Sequence, residues 1–149
     1  MSLPPHVAWV RVSPRPGRNE EMSSLNLIEG LGIEGDRHAR PEKRNQVLVM
    51  DVETLDEFGL RAGDIRENIA TRGLGVADLV EGDRLRFGVD AEVLISHPCA
   101  PCYKMDALRP GLQSEIKGRR GMLAVVTRGG VVLPGDVIEV TRKPAGDSS

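Results

Sequence analysis

The sequence predicts a mainly β fold with a few short helices, and three observations carry that prediction. The apolar residues come in short β-branched bursts separated by Gly, Pro and Asp, the rhythm of short strands joined by turns. Several bursts are entered through Gly-Asp steps, at Gly63-Asp64, Gly82-Asp83 and Gly135-Asp136, where Gly permits a tight turn and the Asp carboxylate can cap it. No regular strand–helix alternation of the βαβ kind is visible. Strands are predicted at Val7 to Val12, Leu27 to Glu29, Gln46 to Met50, Glu67 to Thr71, Arg84 to Phe87, Ala91 to Ile95, Leu123 to Thr127 and Val137 to Thr141. The segment Ser13 to Glu21, rich in Pro, Arg and Gly, reads as an exposed loop. Helical patterning is confined to three pieces. Val52 to Phe58 comes after Asp51 as N-cap, stops at Gly59 and reads as a plug or lid; Tyr103 to Leu108 comes second; Gly111 to Lys117 comes third, with Leu112 and Ile116 on one face and Gly118 as its stop.

A chain of 149 residues is long enough to bury a core without staples, so residues 1–142 are expected to form a single domain, ending in a disordered tail at 143–149. A formal charge of −2 and a pI near 5.9 leave no broad basic surface, which argues against nucleic acid as a partner. No stretch approaches the roughly 20 apolar residues of a membrane span, and the first residues lack a secretory pattern, so no membrane partner and a cytoplasmic location are expected. In a reducing compartment two cysteines at this spacing are free thiols, because the loop they would close is tiny.

Those cysteines sit in Ser96-His97-Pro98-Cys99-Ala100-Pro101-Cys102-Tyr103-Lys104-Met105, directly after a strand-like run. A thiolate is the strongest soft-metal ligand and the most nucleophilic side chain available. The pair supports several readings: two small buried hydrophobes, half of a zinc set completed by His97 and His38, or a redox motif of thioredoxin type. No second C-x-x-C or H-x-x-x-H accompanies it, and the βαβ context of thioredoxin is missing, although reversible disulfide formation between the two remains chemically open. Lys104, two residues beyond Cys102, is positioned in sequence to favour the thiolate.

Four stretches carry more meaning together than apart: Gly32 to His38, Asp64 to Thr71 with Gly73-Leu74, Leu79 to Phe87 with Gly82-Asp83, and Cys99 to Met105. The series, in this order, resembles the MOSC domain family, named for the C-terminal domain of molybdenum cofactor sulfurases, and most closely its small standalone members. The resemblance runs from about Val7 to Thr141 and implies a closed β-barrel-like fold around a site for molybdenum cofactor or related sulfur chemistry. The family's Pro-Cys pair falls on Pro101-Cys102, which implies Cys102 as the metal ligand and catalytic residue, with Cys99 as second choice. Many members carry arginine where this chain has Cys99, and a subgroup of small members has both cysteines. The Gly-Asp-x-His step falls on Gly35-Asp36-Arg37-His38 and the Glu-Asn step on Glu67-Asn68.

A pterin tail ends in phosphate, so donors and positive charge are needed as well. Arg37, His38, Asn68, Lys104 and Arg119 are the expected cofactor-binding residues, with Arg44 and Arg120 also available. The resemblance implies an oxidoreductase acting on an N-hydroxylated small-molecule substrate. With only two cysteines the chain cannot hold a four-thiolate iron–sulfur cluster, so a separate electron-donating reductase is the expected partner. Two alternatives stand beside this: a sulfur carrier or transferase using a cysteine persulfide, and a non-catalytic cofactor carrier. The family is also associated with pyridoxal phosphate through larger fusion proteins; no pyridoxal domain is visible here.

Overall fold

The computed structural model describes residues 3–41 and 43–144. Along the chain run β1 (His6–Val12), β2 (Glu20–Met22), β3 (Leu25–Ile28), β4 (Gly32–Ile33), β5 (Val47–Asp51), α1 (Val52–Glu57), β6 (Ile69–Arg72) and a 3₁₀ turn (Val76–Asp78). Next come β7 (Arg84–Phe87), β8 (Ala91–Pro98), α2 (Lys104–Leu108), α3 (Leu112–Glu115), β9 (Met122–Arg128), β10 (Gly130–Val132) and β11 (Ile138–Thr141). The fold is mainly β, as the β-branched bursts predict.

Eight strands form one sheet in the order β11-β7-β8-β9-β5-β6-β1-β2, and β10-β3-β4 form a second. Both contribute to one apolar core, with Val10, Val49, Ile69, Phe87, Val93 and Val126 from the large sheet meeting Leu25, Leu27 and Val132 from the small one. The expected closed barrel is not seen as a continuous ladder, because the outermost strands β11 and β2 do not pair. A single bridge, His6 to Val137, instead joins the start of β1 to the approach of β11. Val7 N–H donates to Asp136 O at 2.9 Å, Gly135 N–H to Val7 O at 2.7 Å and Ile138 N–H to Pro5 O at 2.8 Å. The physical reason is that β1 spends most of its backbone on β6 and β2, so only its first residues remain for this clasp.

Further differences from the sequence reading concern elements, beginning with β4 and β10, which lie outside the predicted strands. β5 and β6 are parallel, in register Val49 to Ile69, so β5-α1-β6 is one βαβ unit where no alternation was expected. A solitary unit gives no repeating pattern to detect. Glu20–Met22 lies partly inside the expected loop yet pairs with β1 as an edge strand, which polar residues tolerate. Asp51 precedes α1 but makes no side-chain cap, being the last residue of β5. The expected tail begins with Lys143, whose N–H donates to Asp83 Oδ1 at 2.8 Å; residues 145–149 lie outside the described residues.

β5 explains where a site can form. All five of its residues are buried, because the strand is covered on both faces. Val47 and Val49 enter the main core, while Leu48 and Met50 point the other way and pack with Leu55, Ile65, Met105, Leu112 and Ile116 in a second cluster. α1, α2 and α3 are therefore a cap on the outer face of the sheet, and α1 is part of this cap rather than a separate lid.

Candidate functional site

At the edge of that second cluster lies a cavity of about 560 Å³, within the range of small-molecule sites. Leu48, Ile65, Met105 and Leu123 supply its apolar wall, and Cys99 and Cys102 both line it. Positive or hydrogen-bonding groups come from Arg37, His38, Arg66, Asn68, Lys104 and Arg120, with Asp64 as the acid. An adjoining cleft of about 400 Å³ shares Arg37, His38 and Asn45 and adds Arg15, Arg40 and Lys43. Pro14 and Pro16 also line it, so the Pro- and Arg-rich segment forms one wall of the approach.

The cysteines arrive through a break in the β8–β9 ladder. The register shifts between Ile95 and His97, and such an irregularity bends a strand and re-aims the residues beyond it. Pro98 still pairs with Met122, and Cys99 N–H makes the last bond to Gly121 O at 2.9 Å. The chain then leaves the sheet, and Cys102 O accepts from Met105 N–H at 2.9 Å at the entry to α2. Both thiols are free and half-buried. Burial pushes the Cys99 thiol above its ordinary value of 9.0; the Arg120 charge opposes this without cancelling it. Gly121 fixes the geometry here. Its φ is +103°, and a Cβ would stand 2.8 Å from Val49 O, so no other residue fits without displacement.

The Gly-Asp steps behave alike in three places and differently in a fourth. Asp64, Asp83 and Asp136 each return their N–H to the carbonyl three residues back, and each carboxylate accepts that same residue's N–H at 2.8–2.9 Å. They are turn caps, as predicted. Asp36 closes the same backbone turn onto Ile33 O at 3.0 Å, but its carboxylate is diverted. It accepts from Ser13 N–H at 2.7 Å, from His38 N–H at 3.0 Å and from Asn68 Nδ2 at 3.1 Å, and lies 3.0 Å from His38 Nδ1. A carboxylate only accepts, so Nδ1 carries the hydrogen and Nε2 is left for another partner. Burial alone would raise the Asp36 carboxyl, but the hydrogen bonds from the His38 ring, Ser13 and the His38 backbone outweigh it and hold the group below its ordinary 3.8.

The fates of the expected site residues divide. Cys99, Cys102, Arg37, His38, Asn68 and Lys104 line one cavity. Asn68, however, has its amide fully engaged: Oδ1 accepts from Leu48 N–H at 2.9 Å, and Nδ2 donates to Arg11 O and Asp36 Oδ1, each at 3.1 Å. It positions the wall of the cavity and has little left to offer a ligand. Arg119 lies outside the cavity lining: it pairs with Glu57, reaches Thr54 Oγ1 and stacks over Phe58 at 5.4 Å. Its neighbour Arg120 lines the cavity instead. Extending the buried even positions Met122, Ala124 and Val126 back by two would have selected it. Arg44 is drawn to Ser96 O and Glu81.

Arg66, within the Asp64 to Thr71 stretch but not among the expected binding residues, also lines the cavity. Among the described residues it is the non-glycine residue with positive φ, at 62°, a conformation that places a constrained basic side chain at the cavity. Glu67, the other half of the Glu-Asn step, is committed to the fold, accepting from Trp9 Nε1 at 2.9 Å and Gly63 N–H at 2.7 Å. Among the described residues no three His, Cys, Asp or Glu side chains gather as a metal set, so a fully protein-liganded zinc centre is not formed by His38, His97 and the thiols. No helix is long and apolar enough to cross a membrane among the described residues.

Known proteins share this architecture. The fold is similar to the YUAD protein from Bacillus subtilis, with a TM-score of 0.82 and 22% identity over 94% of this chain and 97% of that one. It is similar to YiiM from Geobacillus stearothermophilus, with a TM-score of 0.71 and 21% identity over 96% and 78% of the two chains. YiiM from Escherichia coli gives a TM-score of 0.69 and 23% identity over 93% and 71%. Among curated proteins none matches the sequence. The MOSC domain model matches residues 36–139, a span that begins at Asp36 and includes both cysteines and every cationic residue of the main cavity, and the chain belongs to the MOSC domain family.

Proposed function

We propose that the cavity holds molybdenum cofactor with Cys102 as the protein's thiolate ligand, and that the protein is an oxidoreductase acting on small N-hydroxylated compounds. The observation that carries this reading is the convergence of two free thiols and five cationic or imidazole side chains on one cavity with an apolar wall. The family is generally one of molybdenum-cofactor binding, and the residues fit such a group: a soft donor for the metal beside hard hydrogen-bond donors for a phosphate. When bound, the cofactor supplies oxygen-atom exchange coupled to a two-electron change at the metal.

The chain's own contributions are distinct. Cys102, released from the sheet at the entry to α2, serves as the anchor, and a lone anchor leaves the remaining positions to cofactor and substrate. Arg37 bridges cavity and cleft, and with Arg15, Arg40 and Lys43 it would grip a phosphate at the approach. His38, oriented through Asp36, presents Nε2 as a proton acceptor or donor. Leu48, Ile65, Met105 and Leu123 exclude water and strengthen each polar contact. Electrons would come from a separate reductase, since two cysteines hold no cluster.

The second reading is sulfur transfer. It is favoured by the presence of both thiols in the same cavity, where a persulfide formed on one thiol by a sulfane-sulfur donor could be attacked by the other thiol, forming a disulfide and releasing the outer sulfur as hydrogen sulfide. The test is elemental analysis with pterin fluorescence on wild-type protein and on Cys102→Ser, prepared from a cofactor-competent host, alongside a sulfane-sulfur assay. Stoichiometric molybdenum and pterin in the wild type, with molybdenum lost from a folded Cys102→Ser, is the expected result. Labile sulfur on cysteine without metal would replace this reading by the second. Bound cofactor without turnover of any N-hydroxylated compound would leave a carrier.

A further inference from the structure

Arg119 and Arg120 are neighbours with opposite environments, and the second poses a chemical problem. Arg120 is only 8% exposed. Its Nη2 donates to Ile65 O at 2.9 Å, while Nε and Nη1 are buried without a partner among the described residues. None of the ion pairs among the described residues includes it. A guanidinium stays charged in any protein, and an uncompensated charge against an apolar wall is costly. One of five N–H groups is committed, and four are free. Because Nη2 carries a second hydrogen, the edge on that hydrogen's side, shared with Nε or with Nη1, still offers the parallel pair that a carboxylate or phosphate accepts.

The surroundings select the sign and kind of ligand. Arg120 lines the cavity beside the apolar side chains Leu48, Ile65 and Leu123, where low polarity magnifies its charge. The cavity's acid, Asp64, has one carboxylate oxygen on Arg61 N–H at 2.8 Å. Arg37, Arg66 and Lys104 add positive charge to the same space. A cation is therefore repelled, and a neutral group would leave the guanidinium uncompensated.

We propose that Arg120 anchors an oxyanion-binding subsite in the wall of the cavity, taking a carboxylate, a phosphate or a small inorganic oxyanion. The proposal needs only the cavity and the guanidinium, so it stands apart from metal ligation by Cys102. Two sources share this chemistry: the phosphate of a bound cofactor, and an anionic group on a separate substrate.

The test uses full-length protein without cofactor, with inorganic phosphate as the probe and the Arg120 Nε–H resonance as the readout. Phosphate should shift that resonance saturably. Arg120→Lys, which keeps the charge but loses the fork, should bind roughly ten-fold more weakly, and Arg120→Gln should abolish binding. Thermal unfolding verifies that both variants are folded; should either fail, the wild-type titration decides alone. A second arm repeats the titration on cofactor-loaded protein. Loss of the phosphate response there assigns the subsite to the cofactor's own phosphate, and its persistence assigns it to a substrate anion. An Nε–H resonance indifferent to phosphate in the cofactor-free protein, or Arg120→Gln binding as tightly as wild type, overturns the proposal. Neither result would touch the Cys102→Ser test.

Discussion

Asn68→Ala should destabilise the protein far more than its position in a ligand cavity would suggest. The side chain ties three segments together, with Leu48 on β5, Arg11 on β1 and the Asp36 carboxylate each meeting one of its amide atoms. Truncation orphans the buried Leu48 N–H and removes a donor from the Arg11 carbonyl. Asp36 loses less, because Ser13 and His38 still serve it. An orphaned buried N–H costs about 1–3 kcal/mol and each other lost bond about 1 kcal/mol, which places the total at ~4 kcal/mol. With a urea slope of roughly 2 kcal/mol/M, the unfolding midpoint should fall by about 2 M. Asn68→Asp sharpens the test. It sets a second carboxylate against Asp36, so lowering the pH should relieve the repulsion and recover part of the loss. If the midpoint of Asn68→Ala drops by less than about 0.5 M with unchanged slope, Asn68 is not the crosslink described and its amide is available to a ligand after all.

Three other outcomes are expected. The Asp36 carboxyl is held below 3.8 in the folded state, so its contribution is present above that pH and is lost as pH falls through the lower folded value. Urea midpoints across the acid range should therefore show Asp36→Asn weaker than wild type near neutrality and converging with it in strong acid; a pH-independent gap would contradict the linkage. Gly121→Ala forces a Cβ to 2.8 Å from Val49 O at a φ of +103°. About 3 kcal/mol of strain should lower the melting temperature by roughly 6–12 °C, and an unchanged melting curve would show that the β5–β9 approach is loose. The Cys99 thiol, raised by burial, should show its half-maximal alkylation rate above pH 9.0, monitored by peptide mass spectrometry; a midpoint below that would mean that Arg120 dominates its surroundings.

The range of each interaction decided whether the sequence disclosed it or hid it. β7 falls at Arg84–Phe87, the predicted bounds, because an alternating run closed by turn residues is a local signal. The cysteine segment and the Gly35 to His38 step were legible for the same reason, since their residues lie close in sequence. Arg120 lines the cavity and Arg119 does not, a difference that two adjacent arginines conceal until the phase of β9 and the sharp turn at Gly121 bring one of them into the wall. The second cluster was invisible for a different reason. Leu48, Met105 and Ile116 meet only when α2 and α3 fold back over β5, and no local pattern records that return. The Glu-Asn step points to Asn68 as a ligand residue, yet its amide is consumed by partners 57 and 20 positions away in sequence.

The clasp between β1 and the segment before β11 has a consequence for synthesis. A nascent chain emerging from the ribosome cannot complete the first strand's hydrogen bonds until Gly135 to Ile138 have left the exit tunnel, so the native topology is sealed late and from both ends at once.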